Sequence, residues 1–139
     1  MEPDPSLRYL SLAEVLALHR LAMEHTGQRP APLRDEGALD SAVMRPRMAA
    51  FYEQGDLVRQ CALLAAGIAQ AQAFLDGNKR TAYAAADLFL RLNGRAFAGD
   101  PLELARQLEA LATPESDPRE ATARFEAWLR DHIGPRESR

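Results

Sequence analysis

The stretch "IAQAQAFLDGNKRTAYAA", from Ile68 to Ala85, is apolar on both sides of a short polar segment, Asp76 to Arg80. An apolar run from Leu57 to Phe74 leads into this segment, and a second run follows it from about Arg80 to Leu92. A helix that is apolar on all its faces belongs in the centre of a fold. The stretch therefore predicts two buried helices joined by a charged loop.

Helix-start patterns recur in the rest of the chain. Ser11 and Glu14 have the spacing of a capping box. Asp100 and Asp117 are each followed by a proline and then by a glutamate in the first turn. No alternating strand pattern of useful length appears, so we predict an all-α fold built as a helical bundle.

The region after Pro32 is less clearly patterned. Asp35 is predicted to cap a short helix from about Glu36 to Met44, which Pro46 then ends because proline is poorly tolerated inside a helix. The next stretch, "RPRMAAFYEQGD", fits either a loop or a short β-hairpin.

Length and composition limit the functions available. A chain of 139 residues suits one domain, spanning residues 1–139, with flexible ends at 1–8 and 135–139. The net charge of −3 disfavours direct binding to nucleic acid. The single cysteine, no apparent secretory signal and no long apolar run predict a cytoplasmic protein without a membrane partner.

The charged loop has the chemistry of an anion site. Gly77 and Asn78 suit a tight turn, and the free amides at the start of the second helix favour a negative ligand. Lys79 and Arg80 are unfavourable at a helix N-terminus unless something negative binds there. A phosphate would remove this conflict, and Asp76 beside it would require a divalent cation. From these residues alone, an ordinary structural turn is an equally good interpretation.

The same residues resemble a known motif. The chain carries Gln72, Phe74 and the run from Asp76 to Ala82, where the Doc (death-on-curing) branch of the Fic/Doc, or Fido, superfamily has H-x-F-x-[DN]-[AG]-N-K-R-[TS]-A. Every fixed position matches except the first. The stretches "YLSLAEVLALHRLAMEHTG", "LRDEGALDSAVMRP" and "DLFLRLNG" also resemble Doc-like proteins, in the same order.

The resemblance implies a toxin of a toxin–antitoxin system that uses ATP and Mg²⁺ to phosphorylate elongation factor Tu. It implies Asp76 as the metal ligand, Gly77 and Asn78 as the nucleotide-binding nest, and Lys79 and Arg80 as residues that bind the nucleotide and stabilise the transferred phosphoryl group. It also implies a cognate antitoxin whose helical segment lies in the cleft. The "RPRMAAFYEQ" stretch would correspond to a flap, a short β-hairpin that lines up the target peptide.

Gln72 occupies the catalytic position that the motif gives to a histidine base. A carboxamide has no useful basicity near neutral pH, and loss of a positioned base typically slows a reaction by about 10²- to 10⁴-fold. The glutamine is either natural or an engineered substitution. His19 lies on the first predicted helix, where a structural role is the better interpretation.

Three functions remain open at this point. The first is a Doc-like phosphotransferase, and the second is a weakened or inactive Fido protein that binds a nucleotide or a partner. The third is an adenylyltransferase. The adenylylating branch has G-N-G-R-x-x-R, whereas this chain has Lys79 at the second glycine and Tyr83 at the second arginine. These differences favour the Doc-like branch.

Overall fold

The computed structural model describes residues 7–136. Within this range the chain forms six helices and two short strands, in the order α1 (Leu12–His25), α2 (Glu36–Glu53), α3 (Leu57–Ala71), α4 (Asn78–Leu92), β1 (Arg95–Phe97), α5 (Pro101–Ala110), α6 (Pro118–Arg130) and β2 (Ile133–Pro135). The prediction of an all-α fold is confirmed. None of the helices in residues 7–136 is both long and apolar enough to cross a membrane.

Helix α3 is the centre of the bundle. Every residue from Gln60 to Ala69 is buried. Helices α2, α4 and α6 pack against α3, and α1 packs across α4. The predicted central pair of buried helices is therefore α3 and α4, and the loop between them is anchored in the core.

The predicted helix starts at Ser11, Asp100 and Asp117 are confirmed. Ser11 Oγ accepts from the backbone of Glu14 at 3.1 Å, and the Glu14 carboxylate accepts from Ser11 N at 2.8 Å. The carboxylates of Asp100 and Asp117 each accept from an amide in the first turn of the following helix. Each such cap stabilises its helix by about 1 kcal/mol.

The predicted end of α2 at Met44 is wrong, as is the loop or hairpin that we expected at residues 45–53, whereas residues 54–56 do form a loop between α2 and α3. The helix continues through Pro46 and ends at Glu53, so the stretch "RPRMAAFYE" is helical, Gln54 follows it as the left-handed C-cap, and no hairpin flap forms there. Proline removes one helical hydrogen bond. Burial of α2 against α3 outweighs that loss, because α3 presents Gly67 to α2, and a Cβ there would lie 3.1 Å from Ala42 Cβ.

The small sheet joins the end of α4 to the end of the chain. Strand β1 pairs antiparallel with β2, and Arg95 lies opposite Pro135. Of the ends that we expected to be flexible, residues 1–6 and 137–139 lie outside the described residues. Arg8 N donates to Asn93 Oδ1 at 2.8 Å, and Arg136 N donates to Gly94 O at 3.1 Å.

Candidate functional site

The polar segment forms a tight loop that is entered and left through residues in the left-handed region. Gln72 ends α3 with φ 51°, and Gly77 precedes α4 with φ 85°. We expected α3 to end at Phe74, but it ends three residues earlier, at Ala71. The left-handed backbone of Gln72 interrupts the helix there. We expected α4 to begin near Arg80, but it begins two residues earlier, at Asn78.

Asn78 holds the loop together from inside. It is buried, and its Oδ1 accepts from Phe74 N at 3.1 Å while its Nδ2 donates to Phe74 O at 2.8 Å. Nδ2 also lies 3.5 Å from Gln72 Oε1. The side chain of Asn78 is thus fully used in bracing, and only its backbone remains available to a ligand.

Helix α1 clamps the loop from the other side. His19 Nε2 donates to Asp76 O at 2.9 Å, and the His19 ring stacks on Phe74 with 3.6 Å between ring centres. Gly77 packs so closely that a Cβ there would lie 2.7 Å from Met23 Sδ. His19 therefore has a structural contact here, in line with the role expected for it.

The segment before α2 also fixes the loop, a contact that no local sequence pattern predicts. Arg34 N donates to Ala73 O at 2.8 Å, and Leu75 N donates to Pro32 O at 3.1 Å. Arg34 Nε donates to Gln72 O at 2.9 Å. Arg34 is thus a positioning residue for Gln72 that only the tertiary structure reveals.

Gln72 is exposed, but its side chain turns back onto its own helix. Its Nε2 donates to Ala69 O at 2.8 Å, which satisfies one of the carbonyl groups at the end of α3. The amide at the predicted base position therefore acts as a helix cap and carries no basic atom.

Lys79 and Arg80 lie in the first turn of α4, where Gly77 provides no side-chain cap for the helix amides. Arg80 Nη1 donates to Gln28 Oε1 at 2.7 Å and to Thr26 Oγ1 at 3.2 Å. Lys79 is exposed, and its ammonium has no hydrogen-bond partner within residues 7–136. The two predicted cations are therefore side by side, one tied to the loop after α1 and one unpaired.

A groove of about 310 Å³ lies beside these cations. Lys79 and Arg80 line it together with Tyr83, while Ala105 and Leu108 of α5 add an apolar surface next to Glu109. Burial and the Asp87 carboxylate raise the pKa of the Tyr83 hydroxyl, so this group stays protonated at neutral pH. An apolar surface next to two cations is a suitable arrangement for a ligand with an anionic end and a flat apolar end.

Asp76 is exposed, and its Oδ1 accepts from Gly77 N at 2.7 Å. No group of three or more metal-ligating side chains forms within the described residues. Mg²⁺ commonly binds through one or two carboxylates together with phosphate oxygens and water. The residues present fit that mode, in which Asp76 would be one ligand and a phosphate would supply others.

Comparison with known proteins identifies the family. The Fic/DOC family matches residues 9–90. The chain is 43% identical over 70 residues to "Toxin Doc" of Mycolicibacterium smegmatis (strain ATCC 700084 / mc(2)155). These matched residues make up 49% of this chain and 54% of that protein. The chain is also 34% identical over 110 residues to "Protein kinase doc" of Escherichia phage P1. Here the matched residues make up 78% of this chain and 86% of that protein.

The chain thus spans about half the length of the first relative and most of the second. The family match begins at Tyr9, just before α1, and ends at Leu90, near the end of α4, so it includes the whole α3–α4 loop. The chain belongs to the Fic/DOC family, in its Doc-like branch.

Proposed function

We propose that this protein is the toxin of a toxin–antitoxin pair, with a site built to transfer the γ-phosphate of ATP to a hydroxyl of a target protein. The observation that carries the proposal is the α3–α4 loop. Two neighbouring cations, Lys79 and Arg80, lie at an uncapped helix N-terminus, and the Asp76 carboxylate lies three residues before Lys79. Phosphoryl transfer depends mainly on such positioning and charge stabilisation.

Each residue has a defined part in this proposal. The amides that follow Gly77 would bind phosphate oxygens, and Lys79 and Arg80 would balance the charge on the transferred group. Asp76 would hold Mg²⁺, which supplies further charge neutralisation when bound. For Arg80 to reach the phosphates, it would exchange its contact with Gln28 for the nucleotide.

Gln72 limits the reaction. With no basic atom at this position, the target hydroxyl keeps its proton until late in the transfer, and we expect the rate to fall by about 10²- to 10⁴-fold relative to a site with a base. The Nε2 of Gln72 also donates to Ala69 O, so this side chain is already engaged with its own helix. We therefore expect ATP binding to be retained more fully than catalysis.

The partners follow from the proposed activity. The target would be a protein of the translation machinery such as elongation factor Tu, and the cognate antitoxin would place a helical segment in the cleft. The name of the first relative, "Toxin Doc", supports a toxin role, and the name of the second, "Protein kinase doc", supports phosphate transfer.

Two other functions remain as alternatives. The first is a Fido protein that binds a nucleotide or a partner without chemistry, which Gln72 favours. The second is adenylyl transfer, which Lys79 and Tyr83 disfavour because they replace a glycine and an arginine of the adenylylating pattern.

Labelled ATP separates the three functions. The protein is incubated with elongation factor Tu, Mg²⁺ and ATP that is labelled at either the γ- or the α-phosphate. Transfer of the γ-label supports the phosphotransferase, and transfer of the α-label supports the adenylyltransferase. If neither label is transferred, the protein can still bind ATP. Binding by the wild-type protein that is lost in Asp76→Ala supports the non-catalytic protein. No ATP binding by the wild-type protein contradicts the proposal.

A further inference from the structure

A second groove, of about 600 Å³, lies on a different face of the bundle. The C-terminal half of α2 forms one wall and the start of α6 the other, with α3 as the floor. We call it the α2–α6 groove. Along α3 it reaches from Arg59 to Gln70, which are eleven residues apart. At 1.5 Å per residue this is about 16 Å, or three helical turns.

Arg45 is the unusual residue of this groove. Its stem crosses α3 at Gly67, where a Cβ would lie 3.0 Å from Arg45 Cδ. The side chain is half-buried, yet no acceptor or carboxylate within residues 7–136 binds its guanidinium. Burial and the nearby Arg59 lower the pKa of Arg45, whereas Glu53 raises it. A partly desolvated cation of this kind gains from a negative partner.

The other charges do not supply that partner. Glu53 is held by Arg59 at 2.8 Å, and Arg59 also binds Glu126 at 2.7 Å. Glu53 and Arg59 both line the groove, and their charges are paired with each other. On the opposite wall Arg119 is exposed, and its guanidinium has no partner within the described part of the chain. The charge left free in the groove is therefore positive.

The α2 wall carries large apolar side chains beside its charged ones. Met48 and Tyr52 lie one turn apart, are 48% and 68% exposed, and both line the groove. The floor between the walls includes the buried Leu63. Large exposed apolar side chains at helical spacing are typical of surfaces that bind an amphipathic helix.

We propose that the α2–α6 groove binds an acidic amphipathic helix of a partner protein, about three turns long. Apolar side chains of this helix pack on Met48 and Tyr52, and its carboxylates face Arg45 and Arg119. Carboxylates are preferred because an arginine can bind one through two parallel hydrogen bonds. The proposal does not depend on the reaction at the α3–α4 loop, because none of these residues belongs to that loop.

Three labelled synthetic peptides test the proposal by fluorescence anisotropy. Each has about 18 residues, so that a helix can form, and all share one apolar face of leucines. Their polar faces carry glutamate, glutamine or lysine. The 139-residue chain is expected to bind the glutamate peptide at least about tenfold more tightly than the glutamine peptide and to bind the lysine peptide most weakly.

Matched variants locate the binding. Arg45→Gln and Arg119→Gln are each expected to weaken binding of the glutamate peptide, by about tenfold for Arg45. Arg124→Gln is the control, because Arg124 also lies on α6 but pairs with Glu120 outside the groove. It is expected to leave binding unchanged. Circular dichroism melts confirm that each variant is folded.

Several results would overturn the proposal. These are equal binding of the glutamate and glutamine peptides, no binding of any peptide, or full binding by folded Arg45→Gln. A second copy of the chain is the competing occupant. Sedimentation that shows a concentration-dependent dimer, lost in Arg45→Gln, would assign the groove to self-association instead.

Discussion

Asn78 satisfies both backbone polar groups of Phe74, accepting from its N–H at 3.1 Å and donating to its C=O at 2.8 Å. This pair of hydrogen bonds joins the start of α4 to the turn that leaves α3. The loop that carries Asp76, and the first turn of α4 that carries Lys79 and Arg80, are therefore set by a buried side chain rather than by the charged residues themselves.

Replacement of Asn78 by alanine is expected to destabilise the protein by about 2–4 kcal/mol, because it leaves the N–H and C=O of Phe74 unpaired in the interior. Urea denaturation measures this change. Asn78→Asp keeps an acceptor for Phe74 N but loses the donor to Phe74 O, so it should also be destabilising. A loss below about 0.5 kcal/mol for Asn78→Ala would show that the brace is dispensable.

Gly77→Ala is expected to cost about 3 kcal/mol, because it combines a left-handed backbone with overlap against Met23 Sδ. Gly94→Ala is the matched control. Gly94 has φ 78°, and a Cβ there meets nothing within 4 Å, so only the backbone cost of about 1 kcal/mol should appear. Thermal or urea unfolding of both variants checks the difference, and equal losses would exclude the overlap.

Lys79→Gln is expected to change ligand binding and stability in opposite directions. Without a ligand, a cation at a helix N-terminus is unfavourable, so the free energy of unfolding should rise by about 0.3 kcal/mol. ATP–Mg²⁺ affinity, measured by calorimetry, should fall about tenfold because a charged contact to phosphate is lost. Arg95→Gln makes the same charge change in β1 and should leave affinity unaltered. Equal effects of the two variants would indicate only a general charge effect.

The sequence allowed prediction of features that depend on neighbouring residues. The acidic helix caps at Asp100 and Asp117 and the alanine-rich apolar run of α3 are of this kind, since cap and period are both local. The prediction that Pro46 ends α2 is wrong because α2 packs on Gly67 of α3. This packing permits the helix to continue, and it joins residues that are far apart in sequence. The contacts of Arg34 with Gln72 and of Arg80 with Gln28 were missed for the same reason.

Asp56 gives an acid-dependent contribution to stability. A hydrogen bond from Arg130, 2.6 Å long, is the main cause that lowers the pKa of Asp56 in the folded protein. The stability gained is present above the unfolded pKa of about 3.9 and is lost as the pH falls through the lower folded value. Both side chains are about half exposed, so we expect less than about 1 kcal/mol.

The comparison of wild type with Asp56→Asn checks this contribution. Asparagine keeps an acceptor for Arg59 N, which Asp56 caps at 2.9 Å, but does not titrate. The stability difference between the two proteins should therefore be present near neutral pH and shrink below about pH 4. Asp56→Ala also removes the cap, which costs about 1 kcal/mol at every pH. A difference between wild type and Asp56→Asn that does not change with pH would contradict the assignment.

Gln72→His tests the central claim, which is that the loop binds ATP–Mg²⁺ while the base position limits transfer. Histidine tolerates the left-handed backbone at this position better than most residues and supplies a basic nitrogen. Gln72→Asn is the matched control, because asparagine also tolerates this backbone but has no basic atom.

The decisive measurement is the rate of γ-phosphate transfer to elongation factor Tu by wild type, Gln72→His and Gln72→Asn, with the dissociation constant for ATP–Mg²⁺ measured in parallel. We predict that Gln72→His transfers about 10²-fold faster or more, at an unchanged dissociation constant, while Gln72→Asn does not. No gain in Gln72→His, when it is folded and binds ATP–Mg²⁺ as wild type does, would contradict the account.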